Sequence, residues 1–320
     1  MTFPSQGLLA SYWIPQVGIG PHGSMDYVTV PLTDIRNDQR PDGEMQTNLV
    51  FLMTANFISA DSPPYFSIPA SILQQMTLQE GQQQTNVQQL QQAGIRVLLT
   101  VNNNGDYGWD VITDPVGFAD WVRDSVIEEY GLDGIDIDDE NSTATSQQQF
   151  INAVGALRIA MPDRLITKAL WQDYDYFTIP VGEGFPNSGV YLGQLLDLGS
   201  SMAYGYDKDE QISNITSYTD ITVDGTNVGM SWDQLAIGVQ AGPGGGWMTG
   251  IDEVYALAQW CVKPDSPAIR GMMLFTFSQD IQQFTHAPQN SPSKMFPNEY
   301  DHQWQRTIIA GFLGEPQPSD

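Results

Sequence analysis

Eight short apolar runs, most of them separated by stretches with helical spacing, constrain this chain more than any other feature. They are Gly7–Trp13, Asn48–Phe57, Gly94–Val101, Leu132–Ile137, Leu165–Trp171, a run within Leu195–Tyr204, Leu235–Val239 and Gly271–Phe277. Near-continuous runs such as Leu49-Val50-Phe51-Leu52-Met53 suit strands of a parallel sheet covered on both faces. The intervening patterns read as helices. Val87 and Leu90 sit at helical spacing in the glutamine-rich Gln82–Gln92, with Gly94 as the stop. Asp114 caps a helix that opens on Pro115 and turns Phe118, Trp121, Val122 and Val126 inward. Phe150, Ile151, Val154 and Leu157 line another that ends before Pro162, and further helices are read over Ile251–Val262 and Trp304–Phe312. This alternation predicts α/β architecture: a single (β/α)8 TIM barrel over residues 1–320, one domain with no internal linker. Long loops after the first, second, fifth and sixth strands would lie on the C-terminal face, where barrel sites form.

The fourth run belongs to Tyr130-Gly131-Leu132-Asp133-Gly134-Ile135-Asp136-Ile137-Asp138-Asp139-Glu140-Asn141. Side chains alternate along a strand, so Asp136, Asp138 and Glu140 share one face and Ile135 and Ile137 the other. Three carboxylates on one face of a buried strand repel one another, which raises at least one pKa and readies a proton donor near neutral pH. A solvated acidic loop would not interleave isoleucines. A calcium loop would need Gly where Asn141 stands and a liganding acid at a fixed later spacing.

The run matches a D-x-x-D-x-D-x-E pattern, with Asp133, Asp136, Asp138 and Glu140 on its acidic positions. In this it resembles glycoside hydrolase family 18. The doubled acid before the glutamate is most similar to endo-β-N-acetylglucosaminidases of the endoglycosidase H and F type. Met202-Ala203-Tyr204 resembles the family's Met-x-Tyr at the end of the sixth strand. The resemblance implies a catalytic barrel working by substrate-assisted retention, an exception to the two-carboxylate scheme. In that scheme Glu140 is the acid and then the base, Asp138 orients the 2-acetamido group, Asp136 shares a proton with Asp138, and the Tyr204 hydroxyl helps hold the N-acetyl group. Asp133 counts with the substrate-binding residues, as the acid that buttresses the strand. No metal and no cofactor are implied.

Tyr12, Trp109, Trp171, Tyr206, Trp247 and Phe275 fall near strand C-termini or in the loops beyond. Singly such aromatics are core residues; together with carboxylates they suit a cleft for sugar rings, whose C–H faces stack on π surfaces. Three departures point away from chitin. Phe275 stands where chitinases place a Trp, and Gly205 follows Tyr204 where the family often has an acid. Thr100-Val101-Asn102-Asn103 replaces their Ser-x-Gly-Gly. Only about 30 residues separate the seventh and eighth strands, too few for the small insertion domain of deep-groove chitinases. The expected substrate is therefore the chitobiose core of an N-linked glycan or glycoprotein. A chitinase and a non-catalytic glycan-binding barrel are the alternatives; the presence of Glu140 disfavours the latter.

Composition narrows the partners. Lys and Arg total 12 against 38 Asp and Glu, a net charge of −26, which would repel a phosphate backbone and excludes nucleic acid. Charged residues make up 16%, below the usual ~25%, with uncharged polar residues in their place, as on extracellular hydrolases. The one cysteine, Cys261, allows no intrachain disulfide, and three scattered histidines make no metal set or nucleophile triad. No run reaches membrane-spanning length. The expectation is a monomer acting outside the cytoplasm, extracellular, at the cell surface or periplasmic, whose signal peptide is absent from this sequence.

Overall fold

Strands β1 (Leu8–Trp13), β2 (Leu49–Phe57), β3 (Arg96–Asn102), β4 (Gly134–Asp138), β5 (Leu165–Leu170), β6 (Leu198–Ser201), β7 (Leu235–Gln240) and β8 (Gly271–Phe275) pair in sequence order, all parallel. β1 pairs with β8 on one side (Leu8 beside Gly271) and β2 on the other (Ala10 beside Leu49), so the sheet closes. The computed structural model describes residues 7–19, 26–37, 47–103, 107–140, 147–241, 248–282 and 302–318.

The period of two splits each strand between two cores. Leu8, Ala10, Tyr12, Leu49, Phe51, Leu98, Leu198, Ala236 and Met273 fill the barrel, while Leu9, Val50, Val97, Leu99, Ile135, Ile137 and Ile166 belong to the larger core under the helices. Closing a barrel brings backbones near one another. A Cβ on Gly134 would collide with the Leu165 carbonyl of β5, so the strand carrying the acids opens on the residue that has none.

The predicted helices form. Asn86–Gln92 has a capping box between Thr85 and Gln88, buries Val87 and Leu90, and is followed by Gly94 at φ +86°. The helix Pro115–Val122 is capped by Asp114, whose Oδ1 accepts from the Gly117 N–H at 3.0 Å. Ile251–Val262, the one helix described between β7 and β8, packs on Gln303–Leu313 and buries Cys261. Among the described residues no helix is long and apolar enough to cross a membrane.

Three local expectations change. The long loop expected after β1 contains a hairpin, Gln16–Ile19 with Asp26–Thr29. The loop after β6 is short, because Asp207 caps a helix at Lys208–Thr216. The eighth strand stops at Phe275; Phe277 starts a helix, is buried, and stacks on His302 with centroids 4.9 Å apart. Asp280 of that helix accepts the Trp304 and Gln305 N–H groups, which caps the last helix in the chain.

Candidate active site

Register sets the acid cluster. Asp136 lies beside Thr100 of β3 and Thr167 of β5, and Asp138 beside Asn102 of β3. Neighbours in a parallel sheet share a face, so these side chains meet inside the barrel. Thr167 donates to Asp136 Oδ1 at 2.5 Å; Thr100 (3.0 Å) and Tyr12 (2.8 Å), the latter reaching across from β1, donate to Oδ2. Asn102 donates to Asp138 Oδ2 at 3.0 Å. Asp138 Oδ1 is buried with no donor among the described residues, and the Glu140 carboxyl lies in hydrogen-bonding contact with Asp138. Three hydroxyls thus hold Asp136, while Asp138 has Asn102 on one side and Glu140 on the other. Glu140, two residues past β4, is exposed.

Burial raises the Asp136 pKa, although the hydroxyls of Thr167, Tyr12 and Thr100 and the charge of Lys168 oppose it. Asp138 is raised well above the carboxylate range by burial, then by Glu140 and Asp136, with Lys168 opposing. These are the raised acids the strand pattern called for. Facing them from the opposite wall runs an aromatic chain: Phe51 to Tyr12 at 4.5 Å, Tyr12 to Phe275 at 5.6 Å, and Phe275 stacked on Tyr204 at 5.7 Å. Burial and then the acids opposite raise the pKa of both tyrosines, so both keep their hydroxyl protons.

Two predicted substrate-binding residues are elsewhere. Asp133 lies at the N-terminal end of the barrel, pairing with Arg96 Nη1 at 2.7 Å and accepting from the Val97 N–H and Gln91 at 2.9 Å each. Seven residues of strand-like chain at ~3.3 Å each place it roughly 23 Å from Glu140. It buttresses β4 against β3 at the end of the barrel away from the acids, where it lines a surface hollow with Arg96, Arg123 and Arg164. Asp133→Asn should therefore cost about 1–3 kcal/mol of stability, seen by thermal denaturation, while kcat/KM stays at the wild-type value. Trp109 is the second correction. Its 3-10 turn, Trp109–Val111, folds it into the core, where it donates to the Val101 carbonyl at 2.9 Å and packs on Phe57 and Phe118. Trp171, just past β5, is 41% exposed, as a sugar platform must be, and Tyr206 is half-buried after β6. Trp247 lies outside the described residues.

Sequence reasoning missed Thr100, Thr167 and Asn102 as partners of the acids. It also missed the link around Asp139, which turns away from the barrel interior to meet Asn103 and the Tyr176 hydroxyl. What places Thr100 and Thr167 beside Asp136, and Asn102 beside Asp138, is the pairing register between strands, which a single stretch of sequence does not carry.

Shape comparison finds a GH18 chitinase from Pseudoalteromonas aurantia at TM-score 0.62 and 19% identity, covering 95% of this chain and 100% of that one. This is the fold of the family 18 glycoside hydrolases. An endo-β-N-acetylglucosaminidase from Cordyceps militaris superposes at TM-score 0.56 and 17% identity over 96% of this chain and 91% of that one. By sequence, an endo-β-N-acetylglucosaminidase from Flavobacterium sp. (strain SK1022) is 31% identical over 134 residues; the match covers 38% of this chain and 40% of that protein. No family model matches the chain. The family 18 fold surrounds the residues on which the family motif was read.

Proposed function

We propose that this chain is a family 18 glycosidase, an endo-β-N-acetylglucosaminidase that hydrolyses the β-1,4 bond within the chitobiose core of N-linked glycans. The observation that carries the reading is the Asp138–Glu140 pair: a buried carboxyl with an unmatched oxygen beside an exposed one, under an aromatic wall at the C-terminal end of a barrel.

In the first step the Glu140 carboxyl gives its proton to the glycosidic oxygen as that bond breaks. The carbonyl oxygen of the substrate's own 2-acetamido group attacks the anomeric carbon and closes a cyclic oxazolinium ion. Asp138 accepts the acetamide N–H and balances the positive charge that develops there; its unmatched Oδ1 is free for this bond. Asp136, held by three hydroxyls, fixes the Asp138 side of the cluster, and the Tyr204 hydroxyl, kept protonated, donates to the N-acetyl oxygen. Glu140, now a carboxylate, takes a proton from water, and that water opens the ring with net retention.

The N-glycan assignment draws on three features. Phe275 replaces a tryptophan, one helix alone is described between β7 and β8, and the sequence relative carries an endo-β-N-acetylglucosaminidase name. The second reading is a chitinase, favoured by the chitinases among the structural neighbours. The acids and the aromatic wall come from one chain, so we take the active form to be a monomer. The acidic, weakly charged composition fits action outside the cytoplasm.

The test is parallel incubation with a denatured N-glycoprotein and with chitotetraose, read by mass spectrometry. One N-acetylglucosamine left on each asparagine supports the proposal. An untouched glycan beside rapid chitotetraose cleavage transfers the assignment to the chitinase.

A further inference from the structure

Behind the acid strand lies a charge that the mechanism does not use. Lys168 sits on β5 beside Ile137 of β4, and among the described residues it is the only Lys or Arg that is buried. Its ammonium reaches Asp173 Oδ2 at 2.6 Å, donates to the Ala169 carbonyl at 2.8 Å, and lies 5.7 Å over the Phe150 ring. A fully desolvated ammonium persists only when paired this closely. Asp173 in turn holds a turn. Its Oδ1 accepts from the Tyr218 hydroxyl at 2.8 Å and from the Trp171 N–H at 3.3 Å. Tyr218 is itself fixed between Tyr174 (4.7 Å) and Phe177 (5.5 Å).

Between Trp171 and Asp173 the backbone is forced. Gln172 has φ +53°, a left-handed conformation that a non-glycine residue adopts at a cost and keeps only when its surroundings impose it. The surroundings here are Lys168 and Tyr218, acting through one carboxylate. What the turn presents is Trp171, 41% exposed at the C-terminal rim, one strand from the acids.

We propose that Lys168 is a positioning residue that acts through Asp173 to hold Trp171 as a rigid stacking platform for a sugar ring of the bound glycan. The proposal rests on the glycosidase reading and adds to it a determinant of substrate affinity outside the acid cluster. An exposed tryptophan on a mobile turn would lose conformational entropy each time a sugar bound; one already fixed does not.

The test is a double-mutant cycle on the full chain, using whichever oligosaccharide the wild type cleaves, with each variant measured at its own pH optimum. Trp171→Ala should raise KM about tenfold with kcat within about threefold of wild type. The charge-neutral pair Lys168→Met with Asp173→Asn removes both members of the closest ion pair together, and should raise KM by a similar factor. Adding that pair to Trp171→Ala should raise KM no further. Tyr218→Phe keeps both charges and removes one hydrogen bond. It should move KM the same way by about twofold, and it decides the question if the paired variant does not fold. Unchanged KM, KM losses that multiply, or a fall in kcat at constant KM overturns the proposal. Absence of wild-type turnover on both substrates is a separate result: it removes the glycosidase reading and this proposal with it.

Discussion

Glu140→Gln should lower kcat by about 10²- to 10⁴-fold, the usual worth of a positioned acid, and leave the fold intact. The amide has nearly the shape of the acid but no proton to give at neutral pH. Glu140 is exposed past the end of β4, so its loss should move stability by no more than about 0.5 kcal/mol. Substrate affinity should hold, because the aromatic wall and Asp138 are untouched. Single-turnover kinetics with glycan binding measured by calorimetry separate the two effects. Turnover above about a tenth of wild type would show that another group donates the proton.

The second large effect runs in opposite directions for activity and stability. Asp138→Asn should cost at least about 10²-fold in kcat, because a neutral amide cannot balance the charge forming on the acetamide. The same change should stabilise the fold at neutral pH. Burial, Glu140 and Asp136 hold the Asp138 pKa well above its ordinary value of 3.8, so the native state binds a proton that the unfolded chain has released. Wild-type stability therefore falls as pH rises from about 3.8 through the folded-state pKa, and the deficit is fully present above it. Asparagine does not titrate. The variant should match the wild type near pH 3 and gain on it steadily as pH rises toward neutrality. Thermal melts across that range test this; a variant less stable than wild type at neutral pH, by a margin that does not shrink with pH, would mean Asp138 is not held in a repulsive cluster.

The acid strand was legible because two periodic signals coincide there. Ile135 and Ile137 mark the outer face, so Asp136 and Asp138 had to point inward, and the pattern of raised acids followed. Helix boundaries at Pro115 and Gly94 were legible because capping and positive φ are local demands. What was hidden depends on register or on side-chain direction outside strands. The bonds from Thr100 and Thr167 to Asp136 require aligning strands some 30 residues apart, which no local pattern does. Trp109 and Trp171 both follow strands with similar surroundings in sequence. Only the 3-10 turn sends one into the core and the left-handed Gln172 leaves the other at the rim. Asp133 misled for a different reason: membership of a motif was taken for nearness, although a strand carries its two ends apart.

The central claim, that Asp138 and Glu140 work through the substrate's own acetamide, is tested most directly by the anomeric configuration of the first product. Proton NMR during the first minutes of turnover, before mutarotation, reads it on the new reducing-end N-acetylglucosamine. The account requires the β-anomer, formed by two successive inversions at the anomeric carbon. Accumulation of the α-anomer would mean a single displacement by water, and the assignment of Asp138 would be wrong.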